Sequence, residues 1–383
     1  MLYRRILPGA ICVLGLIASV PVICSEQVYS ITEIPQITHS IGVNRDGDVV
    51  GEKVPTQPSI SAVFFVYVES NGVLNELPTG FSASDINDNG QIVGDHIVND
   101  TPNAAAVLNV SGGETLLTKP SFFFLTLGHA ISNSGLFAAG EGLVIGQKGQ
   151  SFFVPFLWGL QDGSVAELPL LASEDVSLPV LEGDAHAVND KGVVVGNSGI
   201  RILDAMGNPI GTASHAVRWR DGTAKDLGTL PDGMNSDANG INDLGEIVGS
   251  SDTGSGASHA YLLRRHKMVD LGTLGHDLTL NSDANRINDC GEIVGWSEIR
   301  LHSENSVVRR AFVYRHGHLR DLTKLIERKS SLYGTVTLTS ASSISSNGWI
   351  AADGYDNATM EPHGYLLIPD AGHERGGHSN CRR

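Results

Sequence analysis

Three groups of residues in this 383-residue chain carry side chains of the kind that metal binding or catalysis uses. Asn235, Asp237, Asn239, Gly240, Asp243 and Glu246 meet much of a calcium-loop template. Its first position is Asn rather than Asp, no helical pattern flanks it, and the next unit has Arg286 where the template needs Gly. Turn formation explains the same residues. His373, His378 and Cys381 lie in a Gly-rich stretch, 371–383, with the composition of a frayed terminus. His215 and His259 recur at a fixed repeat position. A recurring residue reads as a structural hydrogen-bond partner, since catalysis usually needs one asymmetric site. The sequence contains no nucleophile elbow, paired Cys-His motif, phosphate loop or zinc signature. It therefore designates no catalytic, cofactor-binding or metal-ligating residue, and implies no cofactor.

The elements that would position any site come from an internal repeat. Val43-Asn44-Arg45-Asp46-Gly47 returns as Ile86-Asn87-Asp88-Asn89-Gly90, and is weaker at Ile131-Ser132-Asn133-Ser134-Gly135. It is clear at Val188–Gly192, Ile241–Gly245 and Ile287–Gly291, and degenerate at Ile344–Gly348. Every copy has Asn or Ser first and Gly fourth in the turn, the preference of a type I turn whose Gly takes positive φ and starts the return strand. Four residues after the turn Gly stands another Gly in five copies and Ala in two, which predicts close backbone approach there.

A second element follows each hairpin: an apolar strand, a polar turn and a strand ending in Leu. The best copies are His215–Gly222 with Ala224–Leu230, and His259–Leu263 with Val269–Leu274. Apolar and polar residues alternate without a helical period, so each unit holds about four strands. The turn glycines 47, 90, 135, 192, 245, 291 and 348 lie about 50 residues apart on average, the arithmetic of a propeller. A solenoid is the rival, but solenoids need capped ends. Here Tyr29–Pro35 resembles the last strand of the other units, and the final unit stops after Gly364–Ile368 without one. The expected fold is all-β: a seven-bladed β-propeller over 26–370, closed by the N-terminal strand completing the last blade.

The His-Ala strand starts at 215 and 259, the Asp-Leu-Gly-Thr-Leu segments at 226–230 and 270–274, and the Ile-Asn-Asp-x-Gly hairpins resemble the HAF family of extracellular repeats. The likeness is tight over 184–325 and looser elsewhere. It implies export and repeat architecture in a bacterial protein, and transfers no catalytic residue.

Residues 1–25 have the layout of a secretory signal peptide: Arg4 and Arg5, an apolar run, then Cys24 and Ser25. Lipidation at Cys24 is the alternative, but Pro21-Val22-Ile23 is a poor match to its processing site. The expected location is secreted or periplasmic, with no membrane span after signal removal. Only Cys290 and Cys381 would remain, able to pair in an oxidising compartment. Removing Arg4 and Arg5 takes the formal net charge from −16 to −18. That acidity argues against nucleic acid as a partner.

If the repeated residues serve folding, function belongs to what does not repeat. Three connections are long: Glu141–Val154; Leu170–Ala185 with the 197–214 insert; and Thr323–Ser343. Long loops on a rigid scaffold are where binding residues tend to sit. The expected function is a monomeric, non-enzymatic recognition or scaffold module for protein or glycan. The alternative is an extracytoplasmic hydrolase or lyase acting at the channel mouth.

Overall fold

The computed structural model describes residues 27–54, 62–99, 101–121, 123–145, 151–171, 182–301 and 306–370. The expected signal segment, the 371–383 tail with His373, His378 and Cys381, and most of the 170–185 loop lie outside them. The described chain forms seven antiparallel sheets of four strands each, a seven-bladed β-propeller. The inner strands of blades 1 to 7 are His39–Val43, Phe81–Ile86, Leu125–Ile131, Gly183–Val188, Ser236–Ile241, Ser282–Ile287 and Val336–Ile344.

The turn chemistry is realised in all seven hairpins. Each turn Gly donates its N–H to the carbonyl of the first turn residue, from Gly47 on Asn44 to Gly348 on Ser345, at 2.9–3.1 Å. The seven glycines have φ between +69° and +86°, a region that costs an L side chain strain. The Asn amide does two further jobs. Asn242 Oδ1 accepts the N–H groups of Leu244 and Glu246, while its Nδ2 donates to the Asn288 carbonyl of the next blade at 3.1 Å. Asn87, Asn189 and Asn288 donate to the next blade in the same way. The Asp beside it accepts from the blade before: Asp190 N–H donates to Asp243, and Asp243 N–H to Asp289. The repeated Asn-Asp pair is thus a clasp between blades.

The second element is a stitch of the same kind. In Asp226-Leu227-Gly228-Thr229-Leu230, Gly228 has φ +71°, and the Leu230 N–H donates to Ser251 Oγ of the next blade at 2.8 Å. Ser236 Oγ accepts from Ala216 N–H and donates to the Gly228 carbonyl. The 270–274 copy repeats both bonds through Ser297 and Ser282. Between blades the packing is apolar and wedge-shaped. Ala187, Ala216 and Ala238 are among the small residues, while Tyr261 and Ile247 fill the same cluster. Trp158, Trp219 and Phe312, on third strands, are almost wholly buried.

Blade 7 takes its fourth strand from the other end of the chain. Tyr29–Ile34 pairs antiparallel with Pro362–Pro369, in register from Tyr29↔Pro369 to Ile34↔Gly364. The expected closure is therefore present.

One detail of the expected repeat register shifts. In blade 3 the turn is a residue longer, because Ser132 N–H bonds to Phe137 rather than to the residue before it. The close-approach Gly of that blade is Gly140, paired with Gly128, and not Ala139. A Cβ at Gly140 would overlap the Leu127 carbonyl, as one at Gly94, Gly196, Gly249 or Gly295 would overlap its own partner strand.

Candidate functional site at the long-loop face

The inner strands all run toward the Asn–Gly turns. Antiparallel order then sends the loops between second and third strands, and the connectors between blades, to the opposite mouth of the channel. The described parts of the three long connections singled out from the sequence lie there. Among the described residues the most extended is the blade 4 hairpin, Val194–Leu203 with Pro209–Arg220. Its tip exposes Leu203, Met206 and Ile210, Met206 to 84%. Sixteen large apolar side chains are exposed among the described residues, and only Val73, Leu116, Leu244 and Val269 lie away from this face.

The mouth at the centre of this face gathers carboxylates and imidazoles from successive blades. Asp184, Asp237 and Asp283 occupy one register position on the inner strands of blades 4, 5 and 6. Asp95 and Glu141 come from the second strands of blades 2 and 3. His129 and His186 stand at the β-bulges of blades 3 and 4, where the extra residue aims its side chain toward the next blade. His186 Nδ1 lies 3.1 Å from Asp237 Oδ1, and His129 Nε2 lies 3.9 Å from Glu141 Oε1. Asn239, the bulge residue of blade 5, donates to Asp283 at 2.8 Å. Arg286 donates to the Asn239 carbonyl at 2.9 Å.

Burial and mutual repulsion set the charges. Glu141 is only 7% exposed. Burial, then hydrogen bonding to Asp184 and the charges of Asp184, Glu182 and Asp95, push its carboxyl up to about 9. Since both partners are carboxyls, that hydrogen bond requires a proton between them. Burial and the Asp237 charge raise Asp283 to about 7. Burial raises Asp95 to about 6, against hydrogen bonds from Gly128 N–H and Ser82. Burial, with the His186 charge, lowers His129. Burial also opposes charge on His186, but the hydrogen bond and charge of Asp237 outweigh it and raise that imidazole. Burial likewise opposes charge on Asp237, yet His186 and the Asn197 amide lower it. The group holds a proton at Glu141, and its carboxyl groups outnumber its cationic groups, His186 and Arg286.

The residues weighed from the sequence mostly find structural work. His215 Nδ1 lies 2.9 Å from Asp226, and His259 Nδ1 2.9 Å from Asp270, joining third and outer strands within a blade. The six residues of the calcium template do not close into one loop. Asn235 bonds Asp252, Asp243 receives the Asp190 N–H, and Glu246 accepts from Asn242. Asp237 and Asn239 enter the channel mouth instead. Cys290 is disulfide-bonded; Cys381, the other cysteine able to pair in an oxidising compartment, lies outside the described residues.

The fold and this face define a closed seven-bladed propeller with one short-turn face and one long-loop face. No family model matches the sequence, and no curated protein matches it. Solved structures share the fold. The acylaminoacyl peptidase of Pyrococcus horikoshii is similar at 10% identity and TM-score 0.55, over 91% of this chain and 53% of that one. An acylaminoacyl peptidase in complex with Z-Gly-Gly-Phe-chloromethyl ketone gives 11% and 0.55, over 89% and 51%. A puromycin hydrolase gives 11% and 0.52, over 90% and 52%. The chain spans about half the length of these proteins. At such identities the likeness concerns the fold alone.

Proposed function

We propose that this chain is an exported recognition module of the extracellular-repeat type, which binds a protein or glycan partner through its long-loop face. The observation that carries this reading is segregation. One mouth is ringed by tight turns whose polar groups clasp neighbouring blades. The other carries the described parts of the non-repeating loops and twelve of the sixteen large apolar side chains exposed among the described residues. Export rests on the 1–25 segment, and no helix among the described residues is long and apolar enough to cross a membrane. The hydrolase or lyase alternative draws on the Glu141–Asp184 contact, a proton-bearing carboxyl beside a second carboxyl and an imidazole.

The test is affinity capture from periplasmic and surface fractions with the mature protein and two variants. A Leu203→Asp/Met206→Asp double substitution lies on the long-loop face, and Leu244→Asp lies on the turn face. Recovery of a partner that the double variant loses and Leu244→Asp keeps supports the reading. Capture indifferent to both, or no capture together with turnover of a polysaccharide, contradicts it.

A further inference from the structure

We propose that the partner is a protein, and that it presents a Lys- or Arg-bearing segment whose cation enters the channel mouth among Glu141, Asp184, Asp237 and Asp283 while its apolar flanks rest on the surrounding loops. This rests on the recognition reading above and names the chemistry of what is recognised.

Charge complementarity is the first argument. The groups facing this mouth are Asp95, Glu141, Glu182, Asp184, Asp237 and Asp283 against His129, His186 and Arg286, with Asp85 further along the channel. His129 is held toward its neutral form, so the carboxylates outnumber the cations. Glu141 supplies the second argument. Its Oε2 is buried and meets no hydrogen-bond donor of the chain, and the bond its carboxyl shares with Asp184 exists only with a proton in place. Without that proton Oε2 is a buried acceptor with no donor, which is costly, and a primary ammonium or guanidinium would bring several donors in its place. The exposed side chains favour a protein over a glycan. Sugars stack on open aromatic faces, but among the described residues the exposed large apolar groups are chiefly aliphatic or Met, with Phe124 and Tyr333 the aromatic exceptions. Trp296, at the register position facing Asp283, already carries the Arg309 guanidinium 3.9 Å from its ring centroid. Met and aliphatic side chains around a charged centre suit a protein segment that repacks on contact.

Entry of a cation would displace protons held at the mouth, so binding and proton release are linked. The experiment is calorimetric titration of the mature protein, at pH 7.5 in two buffers of different ionisation enthalpy. The probes are three short synthetic peptides: Leu-Lys, Leu-Glu and Ser-Lys repeats. The Leu-Lys peptide is expected to bind at least about tenfold more tightly than either other, with proton release, because it alone meets both charge and apolar requirements. Asp184→Asn and Asp283→Asn should each weaken it severalfold and reduce the protons released. Met206→Ser/Ile210→Ser, at two exposed positions of the blade 4 hairpin, should weaken it without altering proton release. Equal binding of the Leu-Glu peptide, or unchanged affinity in all these variants, overturns the proposal. So does calcium chloride alone if it releases the same protons and blocks the peptide. A captured partner that is a glycan or an acidic protein, still dependent on the long-loop face, would sink this inference and leave the recognition reading standing.

Discussion

Glu141 shows how one side chain reports the state of the channel mouth. Its carboxyl sits at about 9 in the fold, above its ordinary value, so the native state binds an extra proton between those two values. Its contribution is present in full below the ordinary carboxyl range and is lost as pH rises toward 9. Asp283 at about 7 and Asp95 at about 6 act in the same direction over narrower windows. Glu141→Gln keeps the shape and can donate to Asp184 without a titrating proton. The variant should melt higher than wild type at pH 8 and at the same temperature near pH 4, read by scanning calorimetry across pH. A lower melting temperature for the variant at pH 8 would contradict this charge assignment. Gly249 is a second single-residue case. A Cβ there would overlap the Asp237 carbonyl, which is backbone and cannot swing away. Gly249→Ala should cost about 1–3 kcal/mol, the range of an overpacked site, measured by urea denaturation.

At the scale of the element, the hairpin clasp explains why the same residue types recur. Asn242→Ala removes the cap of its own turn and the bond to Asn288 of the next blade. It should cost about 1–3 kcal/mol, since the buried groups it serves are left unpaired. Asp46→Ala, at an exposed turn position, should fall within about 0.5 kcal/mol of wild type. Equal effects at the two positions in urea denaturation would remove the clasp as a source of stability. The turns were legible because type I geometry constrains residues close in sequence, with Asn or Ser first and Gly fourth in every copy. The register of blade 3 was not, because the extra residue before Phe137 is visible only once Gly140 is seen against Gly128. Nor was the channel mouth. Asp95 and Glu141 belong to second strands, Asp184, Asp237 and Asp283 to inner strands, and their approach depends on blade packing rather than on spacing. A signal did exist: the Asp of an Asp-Ala pair stands four residues before the Ile or Val that precedes the turn Asn in units four, five and six, at 184, 237 and 283. That recurrence marks a shared position on the inner strands, although it cannot show that the three carboxylates share one mouth.

For the molecule as a whole, closure and asymmetry are the two governing facts. The ring is completed by six residue pairs between Tyr29–Ile34 and the last strand, with Tyr29 fully buried and the Arg315 guanidinium 5.4 Å from its ring centroid. Deleting 26–36 opens the ring and exposes the blade 7 edge. The melting temperature should fall sharply; an unchanged value would mean that the latch contributes nothing. With the ring closed, the turn face holds blades together, and the proposed function assigns the long-loop face to a partner. The most direct measurement of that claim is a hydrogen-exchange footprint of the protein with its captured partner. Protection confined to the 141–154, 197–214 and 323–343 connections is the predicted result. Protection at the turns bearing Gly47, Gly90, Gly192 and Gly245, with those connections unchanged, would contradict it.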